Sequence, residues 1–397
     1  MEIYPSPNLI PRFNKDYNYN DFIYGVKSIF KQEMVDSMEL SSTFGDKDFF
    51  FTNTGRTSLY TILRALNFPK GSMIGVPLYS CTVVFDAIIK SGYTPYFIDI
   101  DLNNYTLDTE DLAEKVTNLS AVIVIHTFGR PAEMDRIREI AGDVPVIEDC
   151  AHSLLSKYKG EQTGTLGVAS FFSPTKYLSN GGGGMIILNN TDLVDGFKTE
   201  MDLLNSFTII TEIRDSFVIY LHSILYHKPL FGLFAHPLGS YLRSITSRDN
   251  GVGDFTTNKI RKSDRSLLFN KLYGFETKVE LQRANSLFLI RELKDTSLIL
   301  PHEKKNTYCN YYLFPILFEN NDERDVACKH LRKNGVDTAK LYNMTPLAAR
   351  QFYGYQGDCP NTEELVDEIL TIPNYYSLTD KELLHVVIAV KEVVGLS

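Results

Sequence analysis

The chain has 397 residues, 44% hydrophobic and 22% charged, with 40 Lys and Arg against 49 Asp and Glu for a formal net charge of −9. This apolar content can offset chain entropy over several cores, so the length predicts two or three packed units and excludes a disordered chain. The acidic balance argues against general nucleic-acid binding, and five cysteines with no C-x-x-C pair argue against a disulfide framework or a zinc site, so a reducing cytoplasm is the expected setting and no metal is expected.

Residues 1–45 are rich in Tyr and Asn, carry Pro5, Pro7 and Pro11, and have no apolar run of the signal-peptide kind. They read as an arm plus one helix. From Asp48 short apolar runs alternate with helical stretches. Phe49–Thr52 reads as a strand, and the turn Asn53-Thr54-Gly55-Arg56-Thr57 opens a helix with Leu59, Ile62, Leu63 and Leu66 on one face. Met73–Pro77 reads as a strand, Val83–Lys90 as a helix, and Thr94–Asp99 as a strand. Leu107–Val116 reads as a helix capped by Thr106. Ala121–His126 is a β-branched strand, Ala132–Ile140 a helix, and Val144–Glu148 a buried strand ending at Asp149. Such alternation predicts an α/β fold with a mostly parallel sheet covered on both faces. Catalytic groups gather at the carboxyl ends of strands in such sheets, where His126, Asp149 and the turn at 53–57 lie.

Apolar runs at Ala169–Phe172 and Met185–Leu188 flank four glycines, Gly181–Gly184. Residues 190–275 read as a variable helical region. Its apolar segment from Phe217 to Leu242 is broken as a single long helix by Pro229 and Pro237, and no stretch of the chain reaches 18 uninterrupted apolar residues, so no membrane-spanning helix is expected. Packing on the core or in a dimer interface is the expectation, with membrane-surface contact and a groove for a lipid-linked substrate as rivals. A long helix begins near Val279. After Pro301 a second α+β unit is expected, with a strand in residues 311–318 and helices at Glu323–Asn334 and Asp380–Val393. The expected organisation is an arm and helix at 1–45, a large unit at 46–280, and a linking helix with a small unit at 281–397.

Three features could carry chemistry, and each has an ordinary reading of its own. Asp149 ends a buried strand, where a carboxylate is costly without a partner; alone it reads as a cap or a structural ion pair. Lys176 follows a Ser-Pro-Thr turn and precedes the glycines; alone it reads as a loop lysine, though a desolvated lysine can attack a carbonyl. The turn at 53–57 reads as a capped helix, yet its free N–H groups and dipole suit an anion. Ser173 could add a hydroxyl. Together they supply what a pyridoxal 5′-phosphate (PLP) site needs: an amine for the aldehyde, a carboxylate for the ring nitrogen and a phosphate cup.

At these residues the sequence resembles the DegT/DnrJ/EryC1/StrS family of PLP-dependent nucleotide-sugar aminotransferases. The resemblance is carried by TGRTSLYTILRAL, VPLYSCTVVFDAIIKSGYTPYFIDID, VIVIHTFGRPAEMDRI, PVIEDCAHS, PTKYLSNGGGGMI, KVELQRANSLFLIREL and DCPNTEELVDEILTIPNYYSLTDKEL. It implies the fold type I architecture of PLP enzymes, a mostly parallel seven-stranded sheet with a smaller C-terminal α+β domain. It implies Lys176 as the Schiff-base lysine and proton carrier, Asp149 as partner of the pyridinium nitrogen, and His152 beside the PLP 3′-oxygen. Tyr79 would stack on the ring, and Gly55, Arg56 and Thr57, with Ser173, would hold the phosphate, mainly through backbone N–H groups. L-glutamate as donor, a nucleotide-linked keto sugar as acceptor and a homodimer with shared sites follow from the same resemblance. So do two rivals, a sugar dehydratase of the same fold, whose members lack the lysine, and a non-catalytic homologue. The family usually has its serine five residues before the lysine; here Ser173 is three before it and Ser170 is a rival. The usual Gly-Glu-Gly-Gly or Gly-Asp-Gly-Gly has become Gly181–Gly184 and lost its carboxylate.

Overall fold

Seven short strands form the central sheet: β1 (Asp48–Thr52), β2 (Met73–Pro77), β3 (Thr94–Ile98), β4 (Ala121–Ile125), β5 (Val146–Asp149), β6 (Ala169–Phe172) and β7 (Gly184–Leu188). This computed structural model describes residues 5–31, 38–246 and 251–395, and of residues 242–246 the backbone alone. Parts of the sequence-expected units at 1–4, 32–37, 247–250 and 396–397, and the side chain of Leu242, lie outside the described residues. The spatial order is β1-β7-β6-β5-β4-β2-β3. All pairings are parallel except those of β7, which runs antiparallel to both β1 and β6. The expected mostly parallel sheet is therefore present. Every residue of β4, β5, β6 and β7 is buried, as strands covered on both faces require.

The crossover helices bound the sheet close to where the sequence puts them. The helix Gly55–Leu66 starts on Thr54, whose side chain accepts from the Thr57 N–H, and ends on Asn67 in the left-handed region. One boundary is corrected. The helix expected at Leu107–Val116 runs Thr109–Lys115, and its cap is Asp108, which accepts from the N–H groups of Glu110 and Asp111. Thr106 instead bonds the Asn104 side chain with both its N–H and its hydroxyl. A second correction concerns the N-terminal region, which holds two helices, Tyr19–Ile29 and Met38–Phe44, rather than one.

A smaller antiparallel pair, β8 (Phe314–Leu317) with β9 (Ile369–Ile372), packs with the helices Asn321–Lys333 and Asp380–Val394. The long helix begins at Phe275, four residues before the sequence reading places it, and ends at Leu293. Its first half packs Phe275 and Val279 with Cys150, Leu154 and Tyr177. Its second half packs Leu289 and Leu293 with Phe314, Leu331 and Val390. One rod thus joins the core under the large sheet to the core under the small one.

The helix Ile209–Leu225 is turned inside out. It buries Glu212, Ser216 and Ser223 against the body. It exposes Phe217, Val218, Leu221, Ile224 and Leu225. Only its edge is packed in the expected sense, with Phe22 of the helix Tyr19–Ile29 against Phe217 and Tyr220. Among the described residues no helix is long and apolar enough to cross a membrane.

Candidate active site

A cavity of about 180 Å³ opens at the carboxyl ends of β4, β5 and β6. Each wall comes from a different crossover. Thr54, Gly55 and Arg56 line it from the N-terminus of the helix after β1, Ser80, Cys81 and Val84 from the turn after β2, Asp149 and His152 from β5, and Ser173 and Lys176 from the turn after β6. Tyr342 reaches it from the C-terminal part of the chain.

The anion cradle follows from helix geometry, because the first N–H groups of a helix have no helical acceptor. Thr54 Oγ1 takes the Thr57 N–H at 3.1 Å, so the first-turn N–H groups that this cap does not use are those of Gly55 and Arg56. Gly55 sits close to the neighbouring turn: a Cβ there would be in ordinary contact, 3.4 Å from both the Phe172 carbonyl oxygen and the Ser173 Cβ. One expectation changes here, that for Thr57. Thr57 is fully buried and off the cavity, its N–H spent on the cap. The Arg56 guanidinium turns away, 3.6 Å from Asp86 and over the Phe255 ring at 4.7 Å, so its contribution to the cradle is the backbone. Of the two serines, Ser173 lines the cavity, whereas Ser170 is buried and donates to the Gly164 carbonyl at 2.8 Å.

Asp149 is buried and accepts the Ala151 N–H through Oδ1 at 2.9 Å; its other oxygen takes no hydrogen bond from the described residues. Burial raises its pKa, and the Lys176 ammonium, the Ala151 N–H and His126 oppose that rise. Lys176 is exposed, and it lines two cavities. Desolvation lowers its pKa, and the Asp149 charge works in the opposite direction. An amine so placed gives up its proton more readily than a surface lysine. His152 is held neutral by burial and by the Lys176 charge. Its Nδ1 accepts from the Phe128 N–H at 3.3 Å, which leaves Nε2 as the N–H donor. Its ring stacks on Tyr312 at 4.8 Å.

Beneath Asp149 lies a buried support of His126, Glu148 and Cys150, close enough together to resemble metal ligands. Hydrogen bonds already fill it. Glu148 accepts from His126 Nε2 and from the N–H groups of Gly164, Leu166 and Gly167, and His126 Nδ1 accepts from Ala132 N–H. The set fixes the strand end that carries Asp149.

The sequence from 37 to 223 and from 241 to 391 matches the model of the DegT/DnrJ/EryC1/StrS aminotransferase family. The chain belongs to this family. Its members are PLP-dependent aminotransferases, so this protein is an aminotransferase with PLP as its cofactor. The chain is 24% identical over 351 residues to GDP-perosamine synthase of Escherichia coli O157:H7, covering 86% of this chain and 84% of that protein. It is also 24% identical over 365 residues to the dTDP-3-amino-3,6-dideoxy-α-D-galactopyranose transaminase of Aneurinibacillus thermoaerophilus, covering 90% and 89%. The fold superposes on the PLP form of Spr1654 from Streptococcus pneumoniae with a TM-score of 0.76 at 17% identity, over 98% and 99% of the two chains.

The DegT/DnrJ/EryC1/StrS cofactor suits these residues on three structural grounds: open N–H groups at a helix start, a carboxylate oxygen without a protein donor, and an unpacked amine between them. Tyr79 departs from the expected role. It is fully buried off the cavity, donating to the Leu341 carbonyl and packing edge-on against Phe128 and Tyr342. The turn after β2 presents Ser80 and Cys81 to the cavity instead, and the large aromatic in the wall is Tyr342. Sequence reading missed Cys81 and Tyr342. Cys81 lies two residues beyond Tyr79, and Tyr342 comes from another part of the chain with no motif around it.

The missing carboxylate of the glycine run has a counterpart in space. Asp264, buried and bonded to Arg261 Nε at 2.7 Å, sits where side chains would begin at Gly181 and Gly182, 2.4 and 2.8 Å from the positions their Cβ atoms would take.

Proposed function

We propose that the protein moves an amino group from L-glutamate to a ketone on a nucleotide-linked sugar, in two half-reactions at one site. The observation that carries this reading is Lys176 facing Asp149 across a cavity closed by the helix start at Gly55. The names of the relatives, which make or aminate nucleotide-linked sugars, support the substrate class. PLP supplies an aldehyde that accepts the amino group and a ring that takes up the electron pair left when the substrate C–H bond breaks.

The chain's residues do the rest. The Lys176 amine would hold the cofactor and would serve as the base and then the acid that carries the proton between carbons. Asp149 would keep the ring nitrogen protonated through the carboxylate oxygen that takes no hydrogen bond from the described residues. His152 Nε2–H is the donor for the ring oxygen. The N–H groups of Gly55 and Arg56, with the Ser173 hydroxyl, hold the phosphate. The large unit at 46–280 would carry the cofactor and the unit at 281–397 would cover it, in a homodimer. The presence of Lys176 argues against the dehydratase rival, whose members lack it.

The test is the visible spectrum of the PLP-loaded protein before and after L-glutamate, beside Lys176→Ala. A long-wavelength band that needs Lys176 and that glutamate bleaches is expected, with nucleotide keto sugars restoring it. A band that glutamate leaves unchanged would overturn the donor, and a band that Lys176→Ala retains would overturn the assignment of the lysine.

A further inference from the structure

Lys176 also lines a second cavity, of about 280 Å³, whose walls do not include Asp149. Its walls are the N-terminal stretch around Lys15, the turn Thr175–Ser179, the ring of Tyr312 and the inner edge of the helix Ile209–Leu225 with His222. The two cavities share the reactive lysine, so a molecule reacting at Lys176 has room to extend through the second.

The charges in this wall are unequal. Asp16 is answered by Lys278 at 2.9 Å and Asp21 by Lys271 at 2.8 Å. Lys15, between them, has no carboxylate partner among the described residues. Its ammonium donates to His222 Nδ1 at 2.9 Å and lies 4.3 Å from the centre of the Tyr226 ring. The position is built: the Lys15 carbonyl is held by the Ser223 hydroxyl at 2.9 Å, tying the arm to the helix. Burial lowers the Lys15 pKa, and burial with the neighbouring ammonium lowers that of His222. An uncompensated, half-buried cation is unfavourable by itself and becomes favourable when an anion joins it.

We propose that this second cavity seats the anionic arm of the substrate, with Lys15 as its cationic anchor and the His222 ring as a hydrogen-bonding partner. The ligand chemistry is a carboxylate or phosphate carried a short distance from the reacting carbon. It has two sources under the function proposed above, on which this inference rests: the side-chain carboxylate of the amino donor and the diphosphate of the acceptor.

Calorimetric titration of the PLP-loaded protein separates them, with glutarate as an unreactive dicarboxylate and with UDP, GDP and dTDP as diphosphates. Charge-assisted hydrogen bonds of this kind correspond to roughly tenfold to hundredfold in affinity. Lys15→Met is expected to weaken one probe class by that factor while Lys15→Arg restores it. Loss for glutarate alone assigns the donor carboxylate, and loss for the nucleotides alone assigns the diphosphate. Equal binding by the wild type and Lys15→Met, or no binding by the wild type, overturns the inference. The visible band that depends on Lys176 reports separately on the aminotransferase site, so failure of one reading does not mimic failure of the other.

Discussion

Asp149 and Lys176 oppose each other's titration, and that coupling has a sign that can be tested. The Asp149 charge raises the Lys176 pKa while desolvation lowers it. Asp149→Asn removes the opposing contribution, so Lys176 should lose its proton at lower pH. The pH at which the protein captures PLP, followed by the visible band, is expected to move down, and turnover to fall about a hundredfold or more as the ring nitrogen loses its partner. A midpoint that moves up would show that the two groups do not communicate in this sense. Asp149 is legible in sequence because it closes an apolar strand, and Lys176 because it lies shortly past another, between a Ser-Pro-Thr turn and the glycine run. Thr57, Tyr79 and the choice between Ser170 and Ser173 are not legible in the same way. Each depends on a one-residue change of facing within a turn or strand, and composition does not encode that. Ser173 is on the cavity and Ser170 is not because β6 ends at Phe172 and the chain turns there.

The glycine run belongs to the scale of elements, where β7 leaves the site beside the helix Lys262–Leu272. Restoring a family-like carboxylate with Gly182→Asp would drive its Cβ into Asp264 and place two buried carboxylates together. Overpacking alone costs about 1–3 kcal/mol, so a lowered denaturation midpoint is expected. Asp264→Ala in the same chain should recover part of the loss, the coupling that a double-mutant cycle measures between touching side chains. Additive losses would mean that Asp264 does not substitute for the motif's acid. The sequence showed the loss of the carboxylate but not its counterpart, which lies some 80 residues later on a helix brought back by the fold. Strand alternation was legible because buried β-branched runs are short and distinct. The caps were less so, and Asp108 in place of Thr106 turned on which oxygen reached the first N–H groups.

At the scale of the whole molecule, the inside-out helix Ile209–Leu225 sets the main question of assembly. A helix that buries its serines and exposes Phe217, Val218, Leu221 and Ile224 presents an apolar face of the kind that a partner or a membrane surface covers. In a homodimer that uses this face, Leu221→Asp is expected to halve the mass seen by light scattering. A dimer that persists unchanged moves the interface elsewhere, and co-flotation of the wild type with anionic liposomes would reassign the face to a membrane surface. The cofactor cavity has a different kind of consequence, one of timing. Its walls span from Thr54 to Tyr342. During synthesis the sheet and its lysine emerge long before Tyr342 does, so the pocket stays open on one side for most of translation. Firm retention of the cofactor then becomes a property of the nearly finished polypeptide, and colour in the nascent protein marks the late docking of the C-terminal part rather than the early folding of the sheet.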